Sequence, residues 1–590
     1  MSCRPALAPS LFIALAFVSL LPSAATPQAP TAAIEGIVVK IGNADARLRF
    51  SGQDGRVDER VVILEGGSPL EGATVELTGI VGTEVRSYIA RTGRDGKFVL
   101  RNIPPGQGYQ LIAIHSSEYL PAQYGQPAPG IPGVPLTLSS GQQLSNVRIA
   151  LWPAAQVSGR VLDRTGRPVK AIVTAYKPWY METWRVLART QDQSKTGVVA
   201  RVETNDRGEY RFQGLPAGQY YFSASSTSSI QIGNVKGYTF SSYYGASRPA
   251  DEADPVNLDL GKTVSDLNIV GDLMLRTTIQ GQSFDRRTGT LVRPTQTLVV
   301  RRGEIPEVLT EYLPGLASSS GPAGFTLSLH PGAYVLTVLA RGMSGRVNVD
   351  IADSNTANLQ VPLSPLTDID GRVTIDGSSI GAFAANGAPV KVILRSLTAP
   401  VSNIVTRVRP DGAFQLRGIP AGDYRVDIHP FLSVPPEENV PPALRDLYVR
   451  SLRFGNDDVV GNGLRIEGAS ANRIEVVVGT NGGVVVGRIL RDKRVAVVNA
   501  RAVLIPNTAR RRGDLYKSAL TDDTGQFEIR GVAPGDYKLF AWELVEFGAW
   551  QDSQFIKLYE NRGTSVRVNA GGRQSVDTVL IPALNLQDSK

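Results

Sequence analysis

The sequence predicts an all-β protein, a tandem array of about five seven-stranded-type β-sandwich domains joined by short linkers. A turn residue, an aromatic residue and a Pro-Gly-Tyr-like corner recur five times in the same order. The interval between corners is about 110 residues, with one shorter interval of about 90, and this matches the size of one sandwich domain. The corner tyrosines are Tyr109, Tyr220, Tyr334, Tyr424 and Tyr537. Long amphipathic helical runs are absent from the sequence.

Each copy of this signature begins with a turn and continues as a strand. Asp-Gly or Asp-x-Gly tolerates positive φ and predicts a tight hairpin, as at Asp411-Gly412. The strand that follows alternates, with Phe414 and Leu416 on one side. Pro and Gly end that strand, and the corner tyrosine begins the next one. The four clear copies begin at Asp95, Asp206, Asp411 and Asp523, and a fifth, divergent copy begins at Gly324.

Domain boundaries are predicted where a closing alternating strand gives way to a strand with Gly-x-Val or a relative of it, which we call the leading strand. The glycines of the leading strands are Gly36, Gly159, Gly281, Gly371 and Gly487. The predicted sandwich domains are 26–153, 154–273, 274–365, 366–480 and 481–590, the third of them divergent. Because the linkers are very short, the domains are expected to stack as a stiff rod.

Residues 1–25 have the pattern of a signal peptide. Arg4 lies in a short positive region, an apolar run follows from Leu11 to Leu21, and small residues at 23–25 form a cleavage site. The apolar run is too short to span a bilayer. The one cysteine, Cys3, precedes it, so the mature chain is cysteine-free and forms no disulfide. The sequence therefore predicts an exported protein, periplasmic or extracellular, that does not span a membrane.

The motifs together resemble a known family. Gly-x-Val, then Gly-x-Pro-Val as at Gly166-Arg167-Pro168-Val169, then Asp-x-Gly-x-Phe and Pro-Ala-Gly-Asp-Tyr, look like the carboxypeptidase regulatory-like domain. This transthyretin-like β-sandwich stands beside the catalytic domain in some metallocarboxypeptidases. The chain is also similar to the collagen-binding B-type repeats of surface proteins, and shares a carbohydrate-binding-like fold with starch-binding domains. The resemblance implies a fold more than an activity, because its residues are turn and core residues.

The residues that common catalytic sites require are sparse. A zinc carboxypeptidase centre needs a His-x-x-Glu pair and a distant histidine, whereas His115, His330 and His429 lie in three different predicted domains. One aspartate per turn falls short of the six to eight oxygen ligands of Ca²⁺, so these residues are interpreted as turn formers. There is no phosphate-binding loop. The sequence predicts no enzymatic activity, no cofactor and no bound metal.

The formal net charge of +8 comes mostly from scattered arginines. The one tight basic cluster, at residues 510–512, is predicted to lie in a loop. Nucleic-acid binding requires a basic face with interleaved aromatic residues, so no nucleic-acid partner is predicted. The charge is interpreted as a solubilising surface.

Two groups of aromatic residues are the candidate ligand-binding residues. Trp179, Tyr180 and Trp184 lie in a stretch of the second domain with four aromatics in nine residues, and Trp542 and Trp550 follow the corner of the fifth domain. Flat rings on loops stack against sugars or bind partner proteins. The alternative is that these rings fill the seams between neighbouring domains.

The leading hypothesis is a secreted, non-catalytic multidomain protein that acts as an interaction or spacer module. The alternatives are a carbohydrate-binding protein that uses the loop tryptophans and an accessory module to a separate hydrolase. The predicted partner is accordingly a polysaccharide or a cell-surface protein.

Overall fold

The computed structural model describes residues 30–41, 47–50, 62–81, 83–126, 128–177, 179–181, 184–186, 198–226, 230–232, 235–246, 253–275, 277–301, 324–329, 331–351, 358–376, 378–379, 390–397, 403–429, 444–467, 472–491, 495–510 and 512–583. The predicted signal peptide lies outside these residues. The described part is nearly all strand, which confirms the predicted fold class. Its one α-helix is α1, Ser553–Lys557, and its 3-10 turns are Gly513–Leu515, Ala549–Gln551 and Glu560–Arg562. None of its helices is long and apolar enough to cross a membrane.

The strands form five successive groups, called units 1 to 5. Unit 1 contains β1 Ala32–Lys40, β2 Arg47–Phe50, β3 Val62–Glu65, β4 Ser68–Pro69, β5 Thr74–Val81, β6 Glu84–Arg91, β7 Lys97–Ile103, β8 Gly106–Ile114, β9 Ala122–Gln123, β10 Leu136–Leu138 and β11 Gln143–Leu151. Unit 2 contains β12 Ala155–Asp163, β13 Ala171–Tyr176, β14 Trp179–Met181, β15 Trp184–Val186, β16 Val198–Glu203, β17 Glu209–Leu215, β18 Gly218–Ser226, β19 Ile230–Ile232, β20 Val235–Tyr243, β21 Val256–Leu258, β22 Thr263–Val264, β23 Ile269–Gly271 and β24 Leu273–Leu275.

Unit 3 contains β25 Thr277–Asp285, β26 Pro294–Arg301, β27 Gly324–Leu329, β28 Gly332–Ala340, β29 Met343–Ile351 and β30 Asn358–Pro365. Unit 4 contains β31 Thr367–Ile375, β32 Ser378–Ser379, β33 Lys391–Ser396, β34 Ile404–Arg407, β35 Ala413–Ile419, β36 Gly422–His429, β37 Tyr448–Phe454, β38 Asp457–Asp458, β39 Leu464–Ile466 and β40 Ile474–Gly479. Unit 5 contains β41 Gly483–Arg491, β42 Val495–Ala496, β43 Arg501–Pro506, β44 Lys517–Leu520, β45 Gln526–Val532, β46 Gly535–Trp542, β47 Thr564–Val568, β48 Arg573–Ser575 and β49 Thr578–Val579.

The leading strand is paired in the same way in every unit. In unit 4, β31 pairs in parallel with the closing strand β40 and antiparallel with β35, the strand that carries the signature aromatic residue. The second sheet of unit 4 has the order β34-β33-β36-β39. Units 1, 2 and 5 also have two main sheets. In unit 3, one path of six strands, β26-β28-β29-β30-β25-β27, joins the two layers.

Each unit has its own cluster of buried apolar side chains. In unit 4 the cluster joins both sheets, since it contains Phe414 of β35 and Tyr424 of β36. The five clusters span 32–151, 155–269, 279–363, 369–478 and 485–580, and each falls inside one predicted domain range. Strand β24 pairs with β20, so unit 2 extends slightly past residue 273.

The glycine of the leading strand lies directly across the sheet from the signature aromatic residue in all five units. The pairs are Gly36 with Phe98, Gly159 with Tyr210, Gly281 with Phe325, Gly371 with Phe414 and Gly487 with Phe527. A Cβ placed on Gly36 would lie 2.8 Å from Cε1 of Phe98. In units 1, 3, 4 and 5 the glycine thus leaves the room that the ring occupies, an arrangement known as aromatic rescue of a strand glycine.

The turn before the signature strand connects the two sheets of its sandwich, so the predicted hairpin is wrong. In unit 1 it leads from β6 in one sheet to β7 in the other. The carbonyl of the turn glycine accepts a hydrogen bond from a backbone amide of the leading strand, and this bond attaches the turn to that strand. These bonds are 2.8 to 3.1 Å long and run from Val38 to Gly96, Val161 to Gly208, Val373 to Gly412 and Ile489 to Gly525.

The corner tyrosines are buried, and the hydroxyls of Tyr109, Tyr220, Tyr424 and Tyr537 donate to a backbone carbonyl at the corner. Tyr424 Oη lies 2.8 Å from the Pro420 carbonyl oxygen, and burial raises the pKa of this phenol to about 12. Tyr109, Tyr220 and Tyr537 make the same bond at 2.7 to 2.9 Å. This tyrosine therefore fixes the path from the signature strand into the next strand.

Unit 5 contacts unit 1 and lies near unit 2, which a straight rod does not permit. A Cβ placed on Gly130 of unit 1 would lie 3.0 Å from Cδ2 of Leu544. Glu546 interacts electrostatically with Lys177 and Tyr220 of unit 2. The expected stacking of the domains as a stiff rod is therefore wrong, because the chain of units turns back on itself.

Candidate functional site

The first group of predicted site residues lies on a separate two-stranded ribbon of unit 2. Strands β14 and β15 pair with each other, with Trp179 opposite Val186, Tyr180 opposite Arg185 and Met181 opposite Trp184. This ribbon forms a sheet of its own, apart from the two main sheets of unit 2. The backbone therefore brings Trp179, Tyr180 and Trp184 together, while the placement of their side chains lies outside the described part of the chain.

The second group, Trp542 and Trp550, is buried, so the expectation that these rings form an exposed platform is wrong. Both side chains are 2% exposed. Trp542 stacks on Phe540 with ring centroids 5.3 Å apart, and Trp550 meets Phe547 edge-on at 5.1 Å. The segment that follows β46, including Ile556 of α1, covers the outer face of the sheet. The rings fill a satellite core within unit 5 and do not fill a seam between units.

A tryptophan that sequence reasoning did not single out, Trp152, does fill a seam. It is buried in an apolar cluster between units 1 and 2 with Val39 and Leu120 of unit 1 and Leu260 of unit 2. Leu120 also donates its backbone amide to the Trp152 carbonyl at 2.8 Å. The signal available in the sequence was its position next to the predicted boundary at 153–154.

Units 4 and 5 are joined by a charged clamp. Arg530 of β45 donates two hydrogen bonds to Asp446, from Nε to Oδ1 and from Nη2 to Oδ2, both at 2.8 Å. The backbone carbonyl of Asp446 also accepts from Gly482 at 3.0 Å. A Cβ placed on Gly531 would lie 2.7 Å from the carbonyl oxygens of Arg445 and Leu447. Bidentate pairing and this close backbone approach fix the orientation of the two units.

A cleft of about 290 Å³ opens beside this junction. It is lined by Asp458, Val460, Gly461, Asn462, Ala509, Arg510 and Arg512. Its two arginines already have acidic partners: Arg512 Nη2 lies 2.6 Å from Asp514 Oδ2, and Arg510 Nη2 lies 3.0 Å from Glu560 Oε1. Arg512 also donates to the Val449 carbonyl of unit 4 at 3.0 Å. The guanidinium group of Arg512 therefore bonds across the junction, whereas that of Arg510 pairs within unit 5.

A buried charge lies under the same junction. Asp427 is flanked by Arg395 and Arg425, and Arg425 Nε donates to Asp427 Oδ1 at 2.9 Å. Paired charges of this kind avoid the large cost of an isolated buried carboxylate. The cluster lines a narrow gap that Gly513 and Asp514 of unit 5 close from the other side.

Lys177 of unit 2 lies within range of the charge of Glu546 of unit 5. Its Nζ donates to the Ala217 carbonyl at 3.1 Å and lies 5.3 Å from the centroid of the Tyr220 ring. Burial lowers the pKa of this lysine, and the charge of Glu546 partly opposes that shift. Lys177 is thus held by unit 2 and faces unit 5.

His115 and the turns that precede the signature strands of units 1 and 5 take structural positions. Asp95 Oδ1 accepts from the Lys97 amide at 3.1 Å, whereas in unit 5 the acceptor is Asp522 rather than the predicted Asp523. His115 hydrogen-bonds the Glu71 carbonyl oxygen at 3.1 Å. His330 lies outside the described residues. Within the described ranges, no group of three or more His, Cys, Asp or Glu side chains is placed to hold a metal ion.

No protein-family model matches the chain, and no curated protein matches it. Among solved structures, a streptococcal ancillary pilin is 13% identical, with 57% of this chain and 99% of the pilin covered and a TM-score of 0.20. Two B repeat units of the Staphylococcus aureus collagen-binding protein are 13% identical over 77% of this chain and all of theirs, with a TM-score of 0.12. The Bacillus anthracis TIE protein is 12% identical over 78% and 76%, with a TM-score of 0.16.

TM-scores this low support no conclusion about function. The class of the protein therefore follows from its own strands and its clusters of buried apolar side chains. The chain is a multidomain, all-β protein whose units repeat one leading-strand arrangement, with packed junctions between units 1 and 2 and between units 4 and 5. Its resemblance to carboxypeptidase regulatory-like domains stays a prediction.

Proposed function

We propose that this chain is an exported, non-catalytic scaffold that holds β-sandwich units in one fixed arrangement and presents their edges and loops to a partner. The observation that carries the proposal is the clamp between Asp446 and Arg530, which spans two units with two 2.8 Å bonds. Arg512 also bonds across this junction, because it donates to the Val449 carbonyl of unit 4 at 3.0 Å. A spacer or interaction module needs such junctions, because a partner that contacts two units is bound well only if their separation is fixed.

A measurement of how the units are arranged in solution tests this function. Small-angle scattering of the full chain should fit a single arrangement in which unit 5 lies against units 1 and 2. Asp446→Ala should increase the radius of gyration, while Asp411→Ala, which removes an aspartate from an exposed turn of unit 4, should leave it unchanged. A native chain whose scattering requires many arrangements of the units would contradict the scaffold function.

A second candidate function is carbohydrate binding by the ribbon of β14 and β15. The observation that favours it is that two short strands with Trp179, Tyr180 and Trp184 form a sheet apart from the sandwich. With Trp542 and Trp550 buried, this ribbon is the remaining candidate platform, and the partner is then a polysaccharide rather than a cell-surface protein.

A further inference from the structure

Three of the most exposed large apolar side chains in the described part of the protein lie together on unit 1. Ile80 of β5 is 68% exposed, and Val85 and Ile89 of β6 are 71% and 67% exposed. Ile80 and Val85 are direct cross-strand partners, and Ile89 lies opposite Glu76 on the same face. Exposed apolar groups that cluster on one face mark interaction surfaces more often than scattered ones do.

The strand that carries two of these side chains lies at the end of its sheet. The sheet order is β10-β8-β5-β6, and none of the described strands pairs with the outer edge of β6. Strand β6 has eight residues, whereas the strands at the same position in units 4 and 5, β34 and β44, have four each. Short edge strands protect proteins against pairing with other chains. Unit 1 lacks that protection.

We propose that β6 is a self-association edge, on which the β6 strand of a second copy of this chain pairs antiparallel about Ser87. In this register Val85 of each copy lies opposite Ile89 of the other. Each row across the joined sheets then reads Ile80, Val85, Ile89 and Glu76, with three apolar side chains in contact. On the opposite face Arg86 meets Tyr88, and no like charges oppose each other.

Two neighbouring registers, each shifted by two residues, also keep every side chain on the same face of the joined sheet. Both are less favourable than the register about Ser87. A shift of two residues in one direction places Arg86 opposite Arg86, and like charges directly opposite destabilise a sheet. A shift in the other direction places Val85 opposite Arg91 and separates the apolar pairs. The sequence of β6 is therefore self-complementary about Ser87. This dimer does not depend on the scaffold function, because it requires only the edge of unit 1.

A cross-linking experiment tests both the dimer and its register. In a full chain that carries Cys3→Ser, Ser87→Cys should give a disulfide-linked dimer under mild oxidation. Directly opposed residues of paired strands have Cα atoms about 4.5–5.5 Å apart, which suits a disulfide. Arg91→Cys is the matched control on the same strand. In this register the two cysteines at position 91 lie eight positions apart along the paired strands. The Arg91→Cys variant should therefore stay monomeric on non-reducing gels.

Sedimentation of the native full chain gives a second, independent measurement. Val85→Glu should shift the dimer midpoint to at least tenfold higher concentration, and Val85→Glu with Ile89→Lys should restore it, since the new charges face each other across the edge and the new lysine lies opposite Glu76. Val405→Glu on the short strand β34 should have no effect. A native chain that is monomeric at every concentration, or equal cross-linking of Ser87→Cys and Arg91→Cys, overturns the proposal.

Discussion

Phe414 lies directly across the sheet from Gly371, and its ring covers the glycine so closely that a Cβ at position 371 would overlap ring atoms. Val373 lies two residues after Gly371 on the leading strand β31, and its amide donates to the carbonyl of Gly412 at 2.8 Å. The leading strand therefore binds both the signature aromatic and the turn before it. This explains why Gly-x-Val and Asp-Gly-x-Phe recur together although 36 to 59 residues separate them in the four clear copies.

Gly371→Ala should destabilise unit 4 by about 1–3 kcal/mol, because the added methyl group forces the Phe414 ring out of its place. Calorimetry of the full chain should show the loss as a lower melting temperature for one transition. Gly422→Ala is the matched control in the same unit: its Cβ would lie 3.4 Å from Tyr424, an ordinary contact. Equal effects of the two substitutions would mean that the ring and the glycine are not coupled.

Tyr424→Ala should cost about 3–5 kcal/mol, because it empties a buried site filled by an aromatic ring. Tyr424→Phe removes only the hydroxyl bond to the Pro420 carbonyl and should cost about 0.5–1.5 kcal/mol. Denaturant unfolding measures both. A change under about 1 kcal/mol for the alanine variant would show that the corner tyrosine contributes little to the core.

The sequence predicted the strands of the signature and the burial of its aromatic residues, because period-2 alternation and turn chemistry are local. It did not predict that the Asp-Gly turn joins two sheets, since the hydrogen bond from Val373 that docks the turn is not local. It also misplaced Trp542 and Trp550. Whether a ring near a loop is exposed depends on what folds over it, here Ile556 in a segment with little strand pattern.

Residues 366–480 and 481–590, produced separately, should each show a β-rich circular dichroism spectrum and a cooperative melt, because each contains a complete buried cluster. Unit 5 alone should melt below its temperature in the full chain, since it loses the bonds between Arg530 and Asp446. If both fragments are unfolded alone but fold when joined, the units depend on each other and the boundary at 480–481 divides a single folding unit.

Glu560 should make stability depend on acid pH. Hydrogen bonds from Lys538 and Arg510 lower its pKa below the ordinary value. A carboxyl with a lowered folded pKa stabilises the protein above its unfolded pKa, and this contribution is lost as pH falls through the folded pKa. The melting temperature of Glu560→Gln should therefore be below that of the native chain at pH 7, and the difference should shrink below about pH 4. A pH-independent difference would assign the effect to packing.

Affinity electrophoresis through gels that contain soluble glucans, xylans or pectins tests the ribbon of β14 and β15 as a sugar platform. Aromatic stacking on a nucleobase is worth about 1–3 kcal/mol per ring, and stacking on a sugar is taken as similar or weaker. A single ribbon therefore binds weakly, and we expect no retention of the native chain. Retention that Trp179→Ala or Trp184→Ala abolishes, but Trp542→Phe leaves intact, would instead establish the ribbon as the binding site. Retention that persists in both ribbon variants would move the site elsewhere on the surface, because the buried rings of unit 5 cannot reach a polysaccharide without unfolding the segment that covers them.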